Sequence, residues 1–312
     1  EYMPVTHGVA SSSLVQTAKR LKRVDDTISS ALLLFLKHLS TTDRVSSEEQ
    51  YKYLLNRFVP LLPNNCTWYN LTLNDLQTAV SKLRNQGLRD TSISVMTRAL
   101  RTLWSMEYEK GNAPSPPSFN LKLRTSSIPE YLSRNEIKKM LKLVGKYESI
   151  DVWVLLYLFR GMNFKDLALL RKDQVMNNRI YYSRSKTGKE VPSFPLHQLA
   201  KNILYNYKRY NSNYLIPYLS EDIHKTFRSK ENRIRKVRKQ LTKEIKHVFK
   251  KLNIKSVKRP FYTARYTFAL HLSEHPNQDL FQIKRALGHQ SIVTTERYIM
   301  RLNMSDLDDY IE

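Results

Sequence analysis

Near the carboxyl end, an arginine, a histidine and a tyrosine follow one another in an order that suits a single task. Arg265 sits within FYTARYTFA, His289 closes a Leu-Gly-His tripeptide, and Tyr298 comes nine residues later. An arginine offers a planar, permanently charged fork that matches two phosphate oxygens. A histidine can steady the charge that develops on such an oxygen, and a tyrosine hydroxyl can attack phosphorus. A free phenol has a pKa near ~10, so only about one in a thousand is ionised at pH 7. A site that uses Tyr298 must therefore remove its proton or steady the phenolate as it attacks. The chain holds 19 tyrosines, so an arbitrary one is a packing or surface residue. The surrounding pattern singles out Tyr298, whereas Tyr310 lies in an acidic tail without such support.

Moving a DNA phosphodiester without metal or ATP needs a nucleophile, a clamp for the non-bridging oxygens, stabilisation of charge, and an acid for the leaving 5′ oxygen. Arg-Tyr-Thr-Phe-Ala from Arg265, followed by Leu-Gly-His-x-Ser-Ile-x-x-Thr-x-x-Tyr ending at Tyr298, resembles the signature of the tyrosine recombinases, the phage integrase family. The resemblance covers about residues 28–312 in architecture and about 130–300 by motif. It implies that Tyr298 forms a covalent 3′-phosphotyrosine, which keeps the bond energy for rejoining. It makes Arg265 a phosphate clamp and His289 a donor to the phosphate. Lys186, at the tip of a hairpin, matches the family's mobile catalytic lysine, the implied general acid, and Lys189 across the same turn is the alternative. No metal or other cofactor is expected.

Two positions depart from the family pattern. An arginine is usual in a Gly-x-Arg motif ahead of the next helix, and here Gly161-Met162-Asn163 places asparagine there. Arg160 lies three residues earlier and is long enough to reach a shared phosphate, so it is assigned the second clamp. Tyr262 stands where a His-x-x-Arg motif has its histidine. Its hydroxyl can donate a hydrogen bond but cannot act as a base near neutral pH. Arg265, His289 and Tyr298 are all retained.

The composition agrees with a polyanionic partner. Lys and Arg number 52 against 28 acidic residues, a formal charge of +24, and binding to such a partner should weaken steeply with salt. Residues 1–126 hold 16 basic and 10 acidic side chains, residues 127–312 hold 36 and 18, so the second part carries 36 − 18 = +18. A single cysteine, Cys66, excludes an intrachain disulfide and a Cys-based zinc cluster. No apolar run approaches the ~20 residues of a membrane span, ALLLFL at 31–36 being too short and followed at once by Lys37, and the first residues lack the order of a signal peptide. The expectation is a soluble, cytoplasmic, nucleoid-associated protein.

The elements that must position these residues follow in order. Residues 1–25 read as a flexible, Ser-rich and basic tail. Residues 26–112 carry four helical patterns, the second with a capping box at Ser46 or Ser47, the third capped by Thr72 or Asn74 and closed by Gly87, the fourth closed by Gly111. This is a helical core-type DNA-binding domain, with Lys82, Arg84, Arg98 and Arg101 as candidate DNA contacts. Residues 113–127, with Pro114, Pro116 and Pro117, read as an extended and mobile linker. Residues 128–312 read as the catalytic domain. Ser133 caps its first helix, DVWVLLYLFRG is an apolar helix stopped by Gly161, and Asn163 with Asp166 caps FKDLALLRKDQV. Two β-prone runs flank a tight hairpin at Thr187-Gly188. Between 225 and 259, Ile234, Val237, Leu241, Ile245, Val248 and Leu252 repeat at threes and fours, a buried seam beneath a basic face. The fold class is thus mainly α with a small β-hairpin, a helical core-binding domain joined to a tyrosine-recombinase catalytic domain.

Three readings fit these features. The first is a site-specific recombinase of integrase or invertase type, working through a Holliday junction. The resemblance implies its partners: double-stranded DNA with inverted-repeat core sites, and a homo-tetramer on that DNA from a monomer or weak oligomer when free. DNA-bending accessory proteins are optional partners. The short amino-terminal tail favours a simple recombinase or invertase over an integrase that also grips distant arm sites. The second reading, a catalytically impaired DNA-binding accessory protein, rests on Asn163 and Tyr262. The third, a strand-swivelling type IB topoisomerase, is disfavoured by the separate helical domain and the tail beyond Tyr298.

Overall fold

The computed structural model describes residues 27–303 apart from 43, 118–120, 122, 124–128, 209, 256, 276–278 and 290, and the side chains of 294, 297, 298 and 301–303. The expected basic tail and Tyr310 lie outside the described residues. The chain divides into two compact units, Glu1–Ser126 and Ser127–Glu312.

The first unit is a helical bundle of α1 (Ile28–Ser40), α2 (Val45–Arg57), α3 (Leu73–Asn85) and α4 (Asp90–Glu109), with a 3-10 turn at Val59–Leu61. Each long helix turns an apolar stripe inward, and Leu32, Leu54, Phe58, Leu83, Leu100 and Trp104 are almost wholly buried. Thr72 and Asp75 form the capping box of α3, and Gly87 and Gly111 follow α3 and α4 with positive φ. The start of α2 differs from expectation. Arg44, not a serine, is its cap, without a side-chain hydrogen bond. Val45, Glu48 and Tyr51 are buried at steps of three, and holding Val45 in the core starts the helix before the serines. Four described residues of the expected linker belong to this unit's packing. Ala113 is buried in this core, Leu121 and Leu123 pack against it, and the Trp104 indole donates to the Pro114 carbonyl at 2.9 Å. A buried indole N–H requires an acceptor, and the linker backbone supplies it.

The second unit is built round α6 (Glu148–Leu158), which is buried on nearly every side from Ser149 to Leu156. Around it lie α5 (Arg134–Leu141), α7 (Phe164–Leu169), α8 (Gln198–Tyr205), α9 (Phe227–Lys251), α10 (Pro260–Ser273), α11 (Leu280–Leu287) and α12 (Ile292–Asn303). Ser133 and Glu136 form the capping box of α5. The seam of α9 is buried at Ile234, Val237, Leu241, Ile245 and Val248; Phe249 joins it, while Leu252 is only partly covered at the helix end. The Trp153 indole donates to the Thr263 hydroxyl at 2.9 Å, which itself donates to the Pro260 carbonyl at 2.6 Å, tying α6 to the first turn of α10.

A three-stranded antiparallel sheet, β1 (Val175–Met176), β2 (Arg179–Ser183) and β3 (Glu190–Pro195), is ordered β1-β2-β3. The pairing of β2 with β3 shifts register between Ile180 and Tyr182 and ends at Ser183 with Glu190. The turn is wider than a two-residue hairpin: residues 184–189 close it, with Arg184 N–H on the Lys189 carbonyl and the Thr187 and Gly188 N–H groups on the Arg184 carbonyl. Helix α7 is half the length expected. The buried Leu170 turns extended, and the chain then pairs with residues 213–215 through Leu215 N–H to the Leu170 carbonyl and Lys172 N–H to the Asn213 carbonyl. Backbone pairing with a distant segment overrides the helical pattern.

Gly161 is the tightest joint of this unit. Its φ is +66°, and a Cβ there would lie 2.9 Å from the Cα of Arg265. Gly161→Ala is therefore expected to cost about 1–3 kcal/mol, from left-handed strain and displacement of α10, seen as a lower thermal midpoint. A midpoint equal to the parent's would show that α10 is free to shift.

Candidate active site

Two left-handed residues end α6, Arg160 at φ +56° and Gly161 at φ +66°. The turn they make presents the Gly161 carbonyl to α10, where Arg265 Nη1 donates to it at 2.9 Å. Arg265 Nη2 donates to the Leu287 carbonyl at 2.5 Å, so one guanidinium fastens the end of α6 to the end of α11. Only 3% of Arg265 is exposed. Helix α11 ends with Gly288 left-handed, its N–H on the Arg285 carbonyl and the His289 N–H on the Lys284 carbonyl. This Schellman ending leaves the last carbonyls facing outward, where cations are favoured.

A second arginine uses the next carbonyl. Arg184, just after β2, donates from Nη1 to the Gly288 carbonyl at 2.9 Å. A Cβ on Gly288 would meet Arg184 Cδ at 3.0 Å and Val191 Cγ2 at 3.1 Å, so glycine makes room for this arm. Burial, and then the charge of Arg265, hold the Arg184 pKa below its ordinary value. Between the arginines sits Tyr182, whose pKa burial pushes up to about 12; Asp166 adds to the rise, and Arg265, Arg184 and Arg160 oppose it. Asp166 is buried, and its carboxylate accepts the Ser185 N–H at 2.9 Å and the Asn163 side-chain amide at 3.4 Å. Asn163 begins α7 without capping it; its amide instead faces the carboxylate that anchors the hairpin.

His289 is half-buried, and its Nδ1 lies 3.0 Å from the hydroxyl of the buried Thr295 on α12. Burial, followed by the charges of Arg265 and Arg184, lowers its pKa to about 4. The imidazole is therefore neutral at pH 7. Where the Thr295 hydroxyl donates to Nδ1, the imidazole proton sits on Nε2. Tyr298 stands on α12 three residues beyond Thr295, and its side chain lies outside the described residues. Helix α12 packs on α10 and α11, so Arg265, His289 and the Tyr298 backbone are carried by adjoining helices.

The remaining sequence candidates are placed as follows. Arg160 is half-buried with its guanidinium 5.1 Å from the centre of the Phe194 ring, and burial, then Arg179, depresses its pKa. Tyr262, one turn before Arg265, is half-buried with its ring edge-on to Tyr266, 4.9 Å between centres. Lys186 and Lys189 are exposed on the 184–189 loop. In the first unit Lys82, Arg98 and Arg101 are exposed, while Arg84 makes a two-pronged pair with Asp90 at 2.8 and 3.1 Å. The sequence reading missed Arg184, Tyr182 and Asp166. A signal was present, because Ile180, Tyr182 and Arg184 alternate along one face of the strand whose first member is buried.

The depressed His289 pKa has a measurable consequence. As pH falls, the unfolded chain takes up this proton near 6.5 and the folded one only near 4. The stability that neutral His289 contributes is thus present above pH 6.5 and is lost progressively towards pH 4. His289→Gln is expected to flatten the drop in urea midpoint across that window. An unchanged slope would place the proton uptake on other groups.

The phage integrase family matches residues 130–304, and the phage integrase N-terminal SAM-like domain matches residues 32–111. Tyrosine recombinase XerA of Pyrococcus furiosus is 24% identical over 265 residues, which cover 84% of this chain and 85% of that protein. Tyrosine recombinase XerD of Pasteurella multocida is 25% identical over 241 residues, covering 74% and 79%. Among solved structures, the Tn1549 transposon integrase in complex with circular intermediate DNA superposes with a TM-score of 0.64 at 14% identity, covering 87% of this chain and 94% of that one. A lambda integrase tetramer bound to a Holliday junction gives 0.60 at 14% identity, covering 90% and 80%. At these identities the structural likeness is one of fold. Among the described residues, no helix is long and apolar enough to cross a membrane.

Proposed function

The chain belongs to the phage integrase family, and we propose that it is a site-specific recombinase that cleaves and rejoins duplex DNA through a bond between Tyr298 and a 3′ phosphate. The observation that carries this reading is the buried Arg265 guanidinium. It is fixed by two carbonyls at the motif that supplies His289, beside the helix that bears Tyr298. Arg265 holds the non-bridging oxygens, and neutral His289 donates from Nε2 as negative charge accumulates. Arg160, the second clamp expected from the sequence, adds positive charge beside Tyr182. Tyr262 donates a hydrogen bond.

In the cleavage step the Tyr298 oxygen bonds to phosphorus as the bond from phosphorus to the 5′ oxygen breaks. The phenol gives its proton to solvent and the 5′ oxygen gains one, which Lys186 delivers from the exposed loop, with Lys189 as the alternative donor. The reverse step with a 5′ hydroxyl from a second duplex exchanges strands. We assign the chain inverted-repeat core sites, a tetramer assembled on DNA and passage through a Holliday junction, with inversion or integration as the outcome and DNA-bending proteins as optional accessories. Residues 26–112 grip the duplex through Lys82, Arg98 and Arg101, and residues 113–127 connect them to the catalytic unit. Arg84 contributes less, being paired to Asp90.

The test is covalent trapping on a duplex built from the inverted repeats that flank the gene. A nick just downstream of the cleavage position lets the short 5′-hydroxyl fragment diffuse away. A protein–DNA band that survives denaturation supports the recombinase. Salt-sensitive binding without such a band supports the DNA-binding accessory reading, which the asparagine at position 163 and the tyrosine at 262 favour.

A further inference from the structure

We infer that Arg184, at the base of the β2–β3 hairpin, is the second phosphate clamp of this site and fills the role left open by Asn163. The assignment rests on the recombinase reading above. Three observations carry it. Arg184 and Arg265 reach from different elements to consecutive carbonyls, Gly288 and Leu287, so one backbone corner sets the spacing of both guanidiniums. The Arg184 Nε is buried and has no hydrogen-bond partner among the described residues. A buried donor without an acceptor is costly and marks a position where a ligand oxygen belongs. Third, Gly288 has no side chain where a Cβ would press on Arg184, so the Leu-Gly-His corner is shaped to admit this arm.

The charge balance points the same way. Arg160, Arg184 and Arg265 surround Tyr182, and the carboxylate among them is Asp166, which is already held by Ser185 and Asn163. Like charges crowded together favour an anion between them, and a phosphodiester gaining charge at its transition state meets that requirement. Arg160 is a weaker candidate, because its guanidinium lies over the Phe194 ring and its foremost charged neighbour is Arg179. Asn163 thereby acquires a structural part. Its amide faces Asp166, and Asp166 fixes the Ser185 N–H next to Arg184. Arg184 moves no proton; it balances charge on the non-bridging oxygens while the phosphorus–oxygen bonds exchange.

The experiment uses the full chain and the nicked flanking-repeat duplex, and follows release of the labelled 5′-hydroxyl fragment in a single turnover. One duplex carries the ordinary scissile phosphate. The other carries a methylphosphonate, which lacks the charge a clamp would balance. Arg184→Ala is expected to slow the ordinary duplex on the order of 10²–10³-fold, Arg184→Lys less, and Arg160→Ala less than Arg184→Ala. On the methylphosphonate the gap between parent and Arg184→Ala should narrow at least about tenfold, which a merely structural loss would not do. Thermal melting and retained duplex binding report whether Arg184→Ala folds; if it does not, Arg184→Lys is read by the same ratio. An equal defect on both duplexes, or narrowing for Arg160→Ala alone, overturns the assignment. If the parent protein itself releases no fragment, the recombinase reading fails and this assignment goes with it.

Discussion

Replacing Tyr298 by phenylalanine is expected to abolish the covalent protein–DNA product while leaving duplex binding within about twofold of the parent, because the change removes one oxygen and keeps the ring. Losing the nucleophile of a covalent mechanism costs on the order of 10⁴–10⁶-fold, beyond what a denaturing gel detects. The result also decides between tyrosines. Tyr182 lies closest to the arginine cluster by its electrostatics, yet burial pushes its pKa up to about 12, and it is held in β2 facing the core. It is a poor source of phenolate. Tyr262 is half-buried, with its ring set against Tyr266 on the helix that carries Arg265. A covalent band that persists in Tyr298→Phe would move the nucleophile to one of these two, and Tyr262→Phe in the same background would say which.

The features legible in the sequence were those decided by local rules. Thr72 and Ser133 cap helices because a hydroxyl three residues ahead of an acid satisfies orphan N–H groups wherever the segment lies. The seam of α9 was legible because its period of threes and fours puts Ile234, Val237, Leu241, Ile245 and Val248 on one buried face. What failed depended on distant partners. The helix expected from Phe164 stops at Leu169 because residues 213–215 claim its backbone. Arg184 belongs to this group as well. Its spacing from Lys186 carries no motif, and its place beside Arg265 depends on where α11 ends, about a hundred residues later in the chain. The asparagine at 163 looked like a defect in the sequence; beside Asp166 it is part of the frame that holds the hairpin.

Arg265 is where structure and chemistry are hardest to separate, so two substitutions are needed. Arg265→Ala removes a buried side chain that bridges the Gly161 and Leu287 carbonyls and leaves both without their donor. A loss of about 2–4 kcal/mol is expected, and with it most of the activity, whichever role the arginine has. Arg265→Lys is the informative change. An ammonium keeps the charge but is a compact donor, able to reach one carbonyl or the phosphate and not to hold a fork between them. The expected outcome is a modest fall in thermal midpoint, about 1–2 kcal/mol, with cleavage slowed on the order of 10²–10³-fold at a temperature where the variant is fully folded. Duplex affinity should fall much less, since most of it comes from the many basic side chains outside this pocket. If the lysine variant instead cleaves at the parent rate once folded, the Arg265 guanidinium is a strut between α6 and α11, and the phosphate is held by Arg184 and Arg160 without it.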